Sequence, residues 1–420
     1  MTGSVGWRGK FRKGPGALMI ALALLLVLSA PGAGCAEDLR LGMSAPFSGP
    51  DRALGLEYLR GAMAWLGPFN AAGGERGVTV RILAHDDGYD PERCLENTVR
   101  LLRDDNVFAL FAYVGTPTTT RILPLLLKFG ETNPRLLFPL SGAEPLREPP
   151  YGRFVFNLRT SYAQETAALV DHFVNDGRRR IAVFYQADAY GRSGWDGVRR
   201  RLHWHGLEMA SEAAYHRGAS FVEDFSEQAD LLAKGRPQAV IVAGTAPACA
   251  ALVRDLRGMG VECPVAALSF ADADSILQLL RSHERATGAD LTRGFVFSQV
   301  VPCYEDRSLP GVRRYREMMD AYDGLLPEGV TLGGYNPHKY SSISFEGFLD
   351  ARLLTAMLRR MPGRPDRADI DGVLDGMGEV DLGLGEPVRF GPQRRQGLDR
   401  VYLAEILDGR VVPLESGGER

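Results

Sequence analysis

The chain has 420 residues, 45% of them hydrophobic and 24% charged, with a formal net charge of −3. That length and balance fit a folded protein of about two domains and exclude a disordered chain. The mild acidic excess argues against nucleic acid as a partner, because neutralising phosphate needs a basic face.

The first element in chain order is a leader. Arg8, Lys10, Arg12 and Lys13 precede an uncharged apolar run from Ala17 to Ala30, then Gly32-Ala33-Gly34-Cys35-Ala36 and the acidic Glu37-Asp38. A basic segment, a short apolar segment and a small-residue exit are the layout of a secretory signal, and the run is shorter than the roughly 20 residues of a spanning helix. Residues 1–36 are therefore read as a signal peptide, and the remainder is expected in the periplasm. Cleavage after Ala36 would release a soluble protein; cleavage before Cys35 would leave a lipoprotein held to the membrane only through Cys35. Gly32 stands where the lipoprotein pattern usually has a larger apolar residue, which favours the soluble form. Five cysteines are few for an exported chain. Cys249 and Cys263 flank a segment whose ends would lie about 15 Å apart as a helix, so no disulfide is expected.

Short β-type runs then alternate with longer amphipathic segments. The pattern predicts strands at Leu39–Met43, Val78–Ala84, Val107–Tyr113 and Leu136–Leu140, with helices at Glu57–Ala71, Pro91–Arg103 and Thr118–Phe129 between them. It restarts with strand Phe154–Leu158 and helix Tyr162–Asn175. Strands Ile181–Tyr185, Glu208–Tyr215, Ala239–Ala243, Val265–Leu268 and Gly294–Val300 follow, with helices at Gly194–His205, Val222–Lys234 and Pro247–Met259. Helices near Val312–Tyr322 and Ser341–Arg359 and strands Val388–Phe390, Val401–Ile406 and Val411–Pro413 complete the series. Such alternation means parallel sheets covered on both faces, and its two runs give an α/β protein of two doubly wound lobes with a seam near Leu158–Ser161.

Ligands of open parallel sheets bind beyond the C-terminal strand ends. That rule nominates the loops holding Phe47, Gly115 to Thr119, Ser141-Gly142-Ala143, Tyr190, Thr245 and Ser269 to Asp272. Gly115 to Thr119 joins a strand to a helix N-terminus, where unpaired N–H groups and the hydroxyls of Thr116 and Thr118 would suit a carboxylate. On this loop alone, a Thr that merely caps the helix is the simpler reading. Phe47, Tyr190 and Phe270 would supply apolar walls.

Signals for an enzyme are poor. The chain has no G-x-G-x-x-G after a strand, no P-loop, no H-E-x-x-H and no G-x-S-x-G. His203-Trp204-His205 lacks a ligand-type partner at metal spacing. No catalytic residue, metal or cofactor is expected. Glu144 with Asp272 is the one titratable pair an exported enzyme could use.

Asn70-Ala71-Ala72-Gly73-Gly74, Val78 to His85 and Asp86-Asp87-Gly88-Tyr89-Asp90-Pro91 resemble the periplasmic binding proteins of the leucine/isoleucine/valine group. The likeness continues through Gly115-Thr116-Pro117-Thr118, Ser141-Gly142-Ala143 and Tyr185 to Gly191, and covers nearly all of the chain after the leader. Arg159-Thr160-Ser161-Tyr162 and Ser344-Phe345-Glu346-Gly347-Phe348 resemble a branch with unassigned ligands. The resemblance implies the type I periplasmic binding fold, two lobes joined by three crossings near Arg159, Val300 and Glu386. Lobe I would hold 37–159 and 300–385, and lobe II 160–299 and 386–420. It implies a monomeric solute-binding protein that traps an amino acid, amide or small carboxylate by hinge closure and serves an inner-membrane ABC permease. A ligand-sensing receptor subunit of the same fold is the alternative.

It also implies ligand contacts from Thr116, Gly142 and Ala143 in the first lobe, with Thr118 beside them, and from Tyr190, Thr245 and the Ser269 position in the second. Members that take α-amino acids carry an acidic residue near that last position; this chain has Ser269, with Asp272 nearby, and Thr245 where they often have an aromatic. The carboxylate half of such a site is kept and the ammonium half is left open. The first-lobe disulfide of the family is not expected, because Cys94 has no evident partner near Tyr113.

Overall fold

The computed structural model describes residues 1–9 and 37–414. The signal segment, Cys35 included, lies outside the described residues apart from its first nine.

The first sheet has five parallel strands in the order β2-β1-β3-β4-β5. They are β1 (Glu37–Ala45), β2 (Val78–Asp86), β3 (Ala109–Phe111), β4 (Leu136–Leu137) and β5 (Val155–Phe156). Helices α1 (Arg52–Ala71), α2 (Pro91–Arg103) and α3 (Thr116–Lys128) connect them. The helices begin where local chemistry allows it. Asp90 accepts hydrogen bonds from the N–H groups of Glu92 and Arg93 and Pro91 fills the first helical position, so α2 starts where the sequence puts it.

The second sheet has seven strands. β10 (Phe295–Gln299), β9 (Val265–Ala267), β8 (Ala239–Ala243), β6 (Ile181–Gln186) and β7 (Glu212–Tyr215) run parallel in that order. Two antiparallel strands, β13 (Tyr402–Leu407) and β14 (Arg410–Pro413), extend the β10 edge. The helices are α4 (Tyr162–Asn175), α5 (Ala189–Trp204), α6 (Ser226–Lys234), α7 (Ala246–Gly258) and α8 (Ala273–Thr287). The two parallel-sheet lobes are the architecture the alternation predicts.

Several boundaries differ from the sequence reading. α5 begins at Ala189 rather than Gly194, because the Asp188 carboxylate caps it through Tyr190 N and Gly191 N. α8 was not expected at all; its leading Asp272 sits at φ 59 and makes no side-chain cap, so the usual start signal is missing. β7 and α6 also begin four residues later than expected, at Glu212 and Ser226.

After β10 the chain returns to the first lobe. α9 (Pro310–Ala321), α10 (Ser342–Arg360) and α11 (Ile370–Gly376) follow, with the antiparallel pair β11 (Glu379–Val380) and β12 (Val388–Arg389). α10 packs against α1 at close range. A Cβ on Gly61 would fall 1.8 Å from Ser344 O, and one on Gly347 would fall 2.1 Å from Tyr58 O. Phe390 packs on Phe138 and Phe156 of the first lobe. The sequence reading sets the third crossing near Glu386. Gly397 N still bonds Asn157 O, and Leu398 N bonds Leu158 O, so two passages run side by side; the second sheet resumes at Tyr402.

The four cysteines among the described residues are free. Cys94 is buried, with Asp87, Ser44 and Tyr113 around it, and the Tyr113 hydroxyl bonds Thr98 Oγ1.

Candidate functional site

The C-terminal ends of both sheets face one another across the seam, and the nominated loops meet there. From the first lobe come Phe47, Asp51, Tyr89, Thr116 and Ser141; from the second come Tyr162, Tyr190, Thr245, Phe270 and Asp272. All are buried. Tyr190 packs on Phe270 and Tyr162 with ring centroids 4.7 and 5.1 Å apart, and Phe270 reaches Tyr89 across the seam at 6.1 Å. The lobes are closed on one another.

The first-lobe end of this seam is already filled. Thr116 Oγ1 lies 2.8 Å from Ser141 Oγ and 3.1 Å from the Tyr162 hydroxyl. Thr118 caps nothing and faces no open space; its hydroxyl donates back to Val114 O and Gly115 O. Gly115, at φ 106, precedes α3, and a Cβ there would meet the Tyr89 ring at 2.4 Å. Gly142 is covered in the same way by Tyr162, whose Cδ1 would stand 2.6 Å from a Cβ; the Tyr162 N–H bonds Gly142 O. Ala143 is buried, with its carbonyl taken by Arg147. Phe47 is held by its N–H to Asp86.

Ser269 does not face the seam's free polar groups. Its N–H bonds Glu165 Oε2 at 2.8 Å and its hydroxyl accepts from Arg159. Arg159 is almost wholly buried at the first crossing, beside Glu165 of α4 and Glu346 of α10, at 3.5 and 3.6 Å. Burial opposes the Arg159 charge, yet the two carboxylates hold its pKa above the ordinary value. Burial pushes Glu346 up to about 7 against the pull of Arg159. One guanidinium thus ties the crossing to both lobes.

Buried polar atoms without a well-formed hydrogen bond occur at several places, the Asn157 to Thr160 crossing included. In the seam they are Asp51 Oδ1 and the Tyr89 hydroxyl from the first lobe, and Thr245 Oγ1 and Asp272 Oδ1 from the second. Thr245 sits at the N-cap of α7 but makes no side-chain cap. Burial pushes the Asp51 carboxyl up to about 6, with the Thr245 hydroxyl and Arg217 pulling down and Asp188 pushing up. Burial also raises Asp272, against His338 and the Ser275 hydroxyl. Tyr89 and Asp272 both hold left-handed backbone, φ 65 and 59, a strain that non-glycine residues keep only where the surroundings enforce it.

A cavity of about 290 Å³ opens between the lobes here, with Asp51 and Tyr335 on one side and Asp272, Ser275 and Gln278 on the other. Larger hollows of about 690 and 720 Å³ are lined by the first lobe alone, at the strand starts and along edge strand β2. Among the described residues no group of three or more His, Cys, Asp or Glu could hold a metal. Glu144 and Asp272 have separate partners, Ala163 N for the first and Ser275 for the second.

Sequence reasoning missed Asp51, Tyr89, Tyr162 and Arg217. Tyr162 follows the Ser161 capping box, a signal that marks where its helix starts against the seam. Asp51 follows the nominated Phe47 loop, but nothing local tells that it meets Thr245.

Two parallel-sheet lobes, with the buried seam between their strand ends, define a two-lobed binding protein of type I. The chain belongs to the periplasmic binding protein family, whose sequence pattern matches residues 38–410. It is 24% identical to an amino acid binding protein of Pseudomonas aeruginosa over 338 residues, covering 80% of this chain and 84% of that one. Its fold matches a crystal structure of a possible leucine/isoleucine/valine-binding protein from Rhodopirellula baltica, at a TM-score of 0.79 and 31% identity, over 92% of this chain and 98% of that one. A branched chain amino acid ABC transporter structure from Thermus thermophilus with bound valine shares the fold at a TM-score of 0.77 and 17% identity, over 90% and 96% of the two chains. The resemblance to the leucine/isoleucine/valine group therefore stands, and these relatives are solute-binding proteins. No described helix is long and apolar enough to cross a membrane.

Proposed function

We propose that this protein captures a small polar or amphipathic solute between its lobes outside the cytoplasm and passes it to an inner-membrane ABC permease. The single observation carrying this reading is the set of buried polar groups with poorly formed hydrogen bonds that both lobes bring to the seam. Buried polar groups are normally well paired, so such a cluster between two lobes supports a place for a ligand. Tyr190, Thr245, Phe270 and Asp272 would contact it from the second lobe, with Asp51 and Tyr89 from the first. Thr116, Ser141, Gly142 and Ala143 shape the floor.

The mechanism is a hinge. The passages at 157–160, 300–303 and 396–401 are the places where the chain changes lobe, and rotation there separates the two walls. A ligand held by one wall gains contacts with the other only on closing, so it shifts the population toward the closed form. The permease then reads the closed shape. Relatives named for amino acids make those the first solutes to try, with amides and small carboxylates beside them. Export with cleavage after Ala36 would give the soluble form, and replacing Cys35 by Ala would abolish membrane association if the lipoprotein exit is used instead.

Titration calorimetry with a panel of amino acids, amides, amines and small carboxylates tests this reading, together with small-angle scattering for compaction. Binding with a smaller radius of gyration is expected. Absence of both across the panel would sink it.

A further inference from the structure

We propose that the solute is a cation, bound through an ammonium or guanidinium group placed between Asp51 and Asp272 in the interlobe cavity. This rests on the solute-binding reading above and narrows it.

The first step is what the seam does not offer. An anion would need free donors at the start of α3 and on the Ser141 loop. There the Thr116 hydroxyl is engaged by Ser141 and Tyr162, the Tyr162 ring covers Gly142, and Tyr89 covers Gly115. The chain's own phenol occupies the place a carboxylate would take.

The second step is what the cavity does offer. Asp51 and Asp272 are 4% and 1% exposed and both line the 290 Å³ space from opposite lobes; the Thr245 hydroxyl lies beside the Asp51 carboxylate, and Asp272 Oδ1 has no well-formed hydrogen bond. Asp272 Oδ2 accepts from Ser275, which leaves Oδ1 for another donor. The cations around the cavity offset these carboxylates only in part: Arg217 acts on Asp51 and His338 on Asp272, yet burial keeps both raised, and each cation has another partner. Arg52 donates to Gly333 O, Arg217 lies 3.5 Å from Asp188 and over the Tyr89 ring, and His338 reaches Ser275. Both carboxylates are desolvated by burial at the edge of one small space, and a ligand cation between them would offset both penalties. Ser275 and Gln278 add polar groups for further N–H donors.

The size limits the ligand. A space of this volume sits at the low end for small-molecule sites, which suits a short amine or guanidine and excludes a peptide. The cavity is built from both lobes, so the cation would bridge Asp51 on the first wall to Asp272 on the second and hold them closed.

The test uses the mature chain with three probes of similar length: 1,4-diaminobutane as cation, leucine as zwitterion and valerate as anion. Calorimetry is run on the native protein and on Asp51→Asn and Asp272→Asn, with thermal melting of each unliganded form. The expected result is binding of the diamine, weaker or no binding of leucine and valerate, and a loss of tenfold or more in diamine affinity in each variant. Both variants should also melt higher than the native protein without ligand, because each removes a buried charge. Two outcomes overturn the inference alone: leucine or valerate binding more tightly than the diamine, or diamine affinity unchanged in both variants. Failure of every solute in the wider panel, without compaction, overturns the solute-binding reading itself.

Discussion

The Tyr162 hydroxyl lies 3.1 Å from the Thr116 hydroxyl, joining the first turn of α4 in the second lobe to the first turn of α3 in the first. Both residues are fully buried, and Thr116 has a second partner in Ser141. The pair closes the seam at the place where the family pattern expects a ligand's acidic end, and does so with protein atoms.

Removing the two hydroxyls should have unequal effects. Tyr162→Phe takes one hydrogen bond and leaves Thr116 satisfied by Ser141, for a loss of about 0.5–1 kcal/mol. Thr116→Val strands the Tyr162 phenol in the interior, which costs about 1–3 kcal/mol. The double variant should therefore lose less than the two single losses added. Urea denaturation of the four proteins gives the coupling directly. Additive losses would show that the two hydroxyls do not interact.

The sequence showed its fold wherever the start or stop signals are local. Pro91–Arg103, Tyr162–Asn175 and Ala239–Ala243 match residue for residue, since Asp90-Pro91 and the Ser161/Gln164 box announce two helices and an unbroken apolar run announces the strand. α8 escaped notice because Asp272 leads it without capping it. The site was half legible. The strand-end rule nominated loops that come to the seam, those of Tyr190, Thr245 and Asp272 among them, but it could not say that Thr118 bonds its own helix or that Ser269 turns to Arg159. Asp51, Tyr89 and Tyr162 gain their roles only from contacts across the seam, which join residues far apart in the chain and leave no local pattern.

The α1–α10 contact depends on glycine. With Ser344 O only 1.8 Å from where its Cβ would sit, Gly61→Ala must push two helix backbones apart. A loss of about 2 kcal/mol or more is expected, at the upper part of the overpacking range. Gly372→Ala is the control: nothing lies within 4 Å of that site, inside α11, so the helix preference of alanine should add about 0.5–1 kcal/mol. Equal effects in chemical denaturation would remove the packing explanation.

Arg159 is the cation that two buried carboxylates share. Arg159→Met keeps most of the volume and leaves Glu165 and Glu346 without the guanidinium they share, with Arg147 as the remaining nearby cation. Breaking a buried ion pair from one side costs about 3–5 kcal/mol. Adding Glu346→Gln should recover part of this, since it removes one of the stranded charges. The comparison by denaturation at neutral pH fails the idea if Arg159→Met alone costs under about 1 kcal/mol.

Asp51 makes stability without ligand depend on pH in a direction opposite to that of a salt-bridged carboxylate. Its ordinary value is 3.8 and burial lifts it to about 6, with Thr245, Asp188 and Arg217 as the groups that act on it. The folded form therefore holds its proton over a range where the unfolded chain has lost it. Below about pH 4 both states are protonated and the group contributes no penalty. Between about pH 4 and 6 the folded state loses ground as pH rises, and above about pH 6 the full cost is reached. A displacement of that size corresponds to about 3 kcal/mol. Asp51→Asn has no such proton to lose. The difference in unfolding free energy between native protein and variant should grow in the variant's favour from pH 4 to 7, then level off. A cation in the cavity should cancel much of that difference for the native protein, because the ionised carboxylate would then have its partner. Denaturation at several pH values, with and without 1,4-diaminobutane, measures both effects, and a flat difference across the range would show that Asp51 is not held in its acid form by the closed seam.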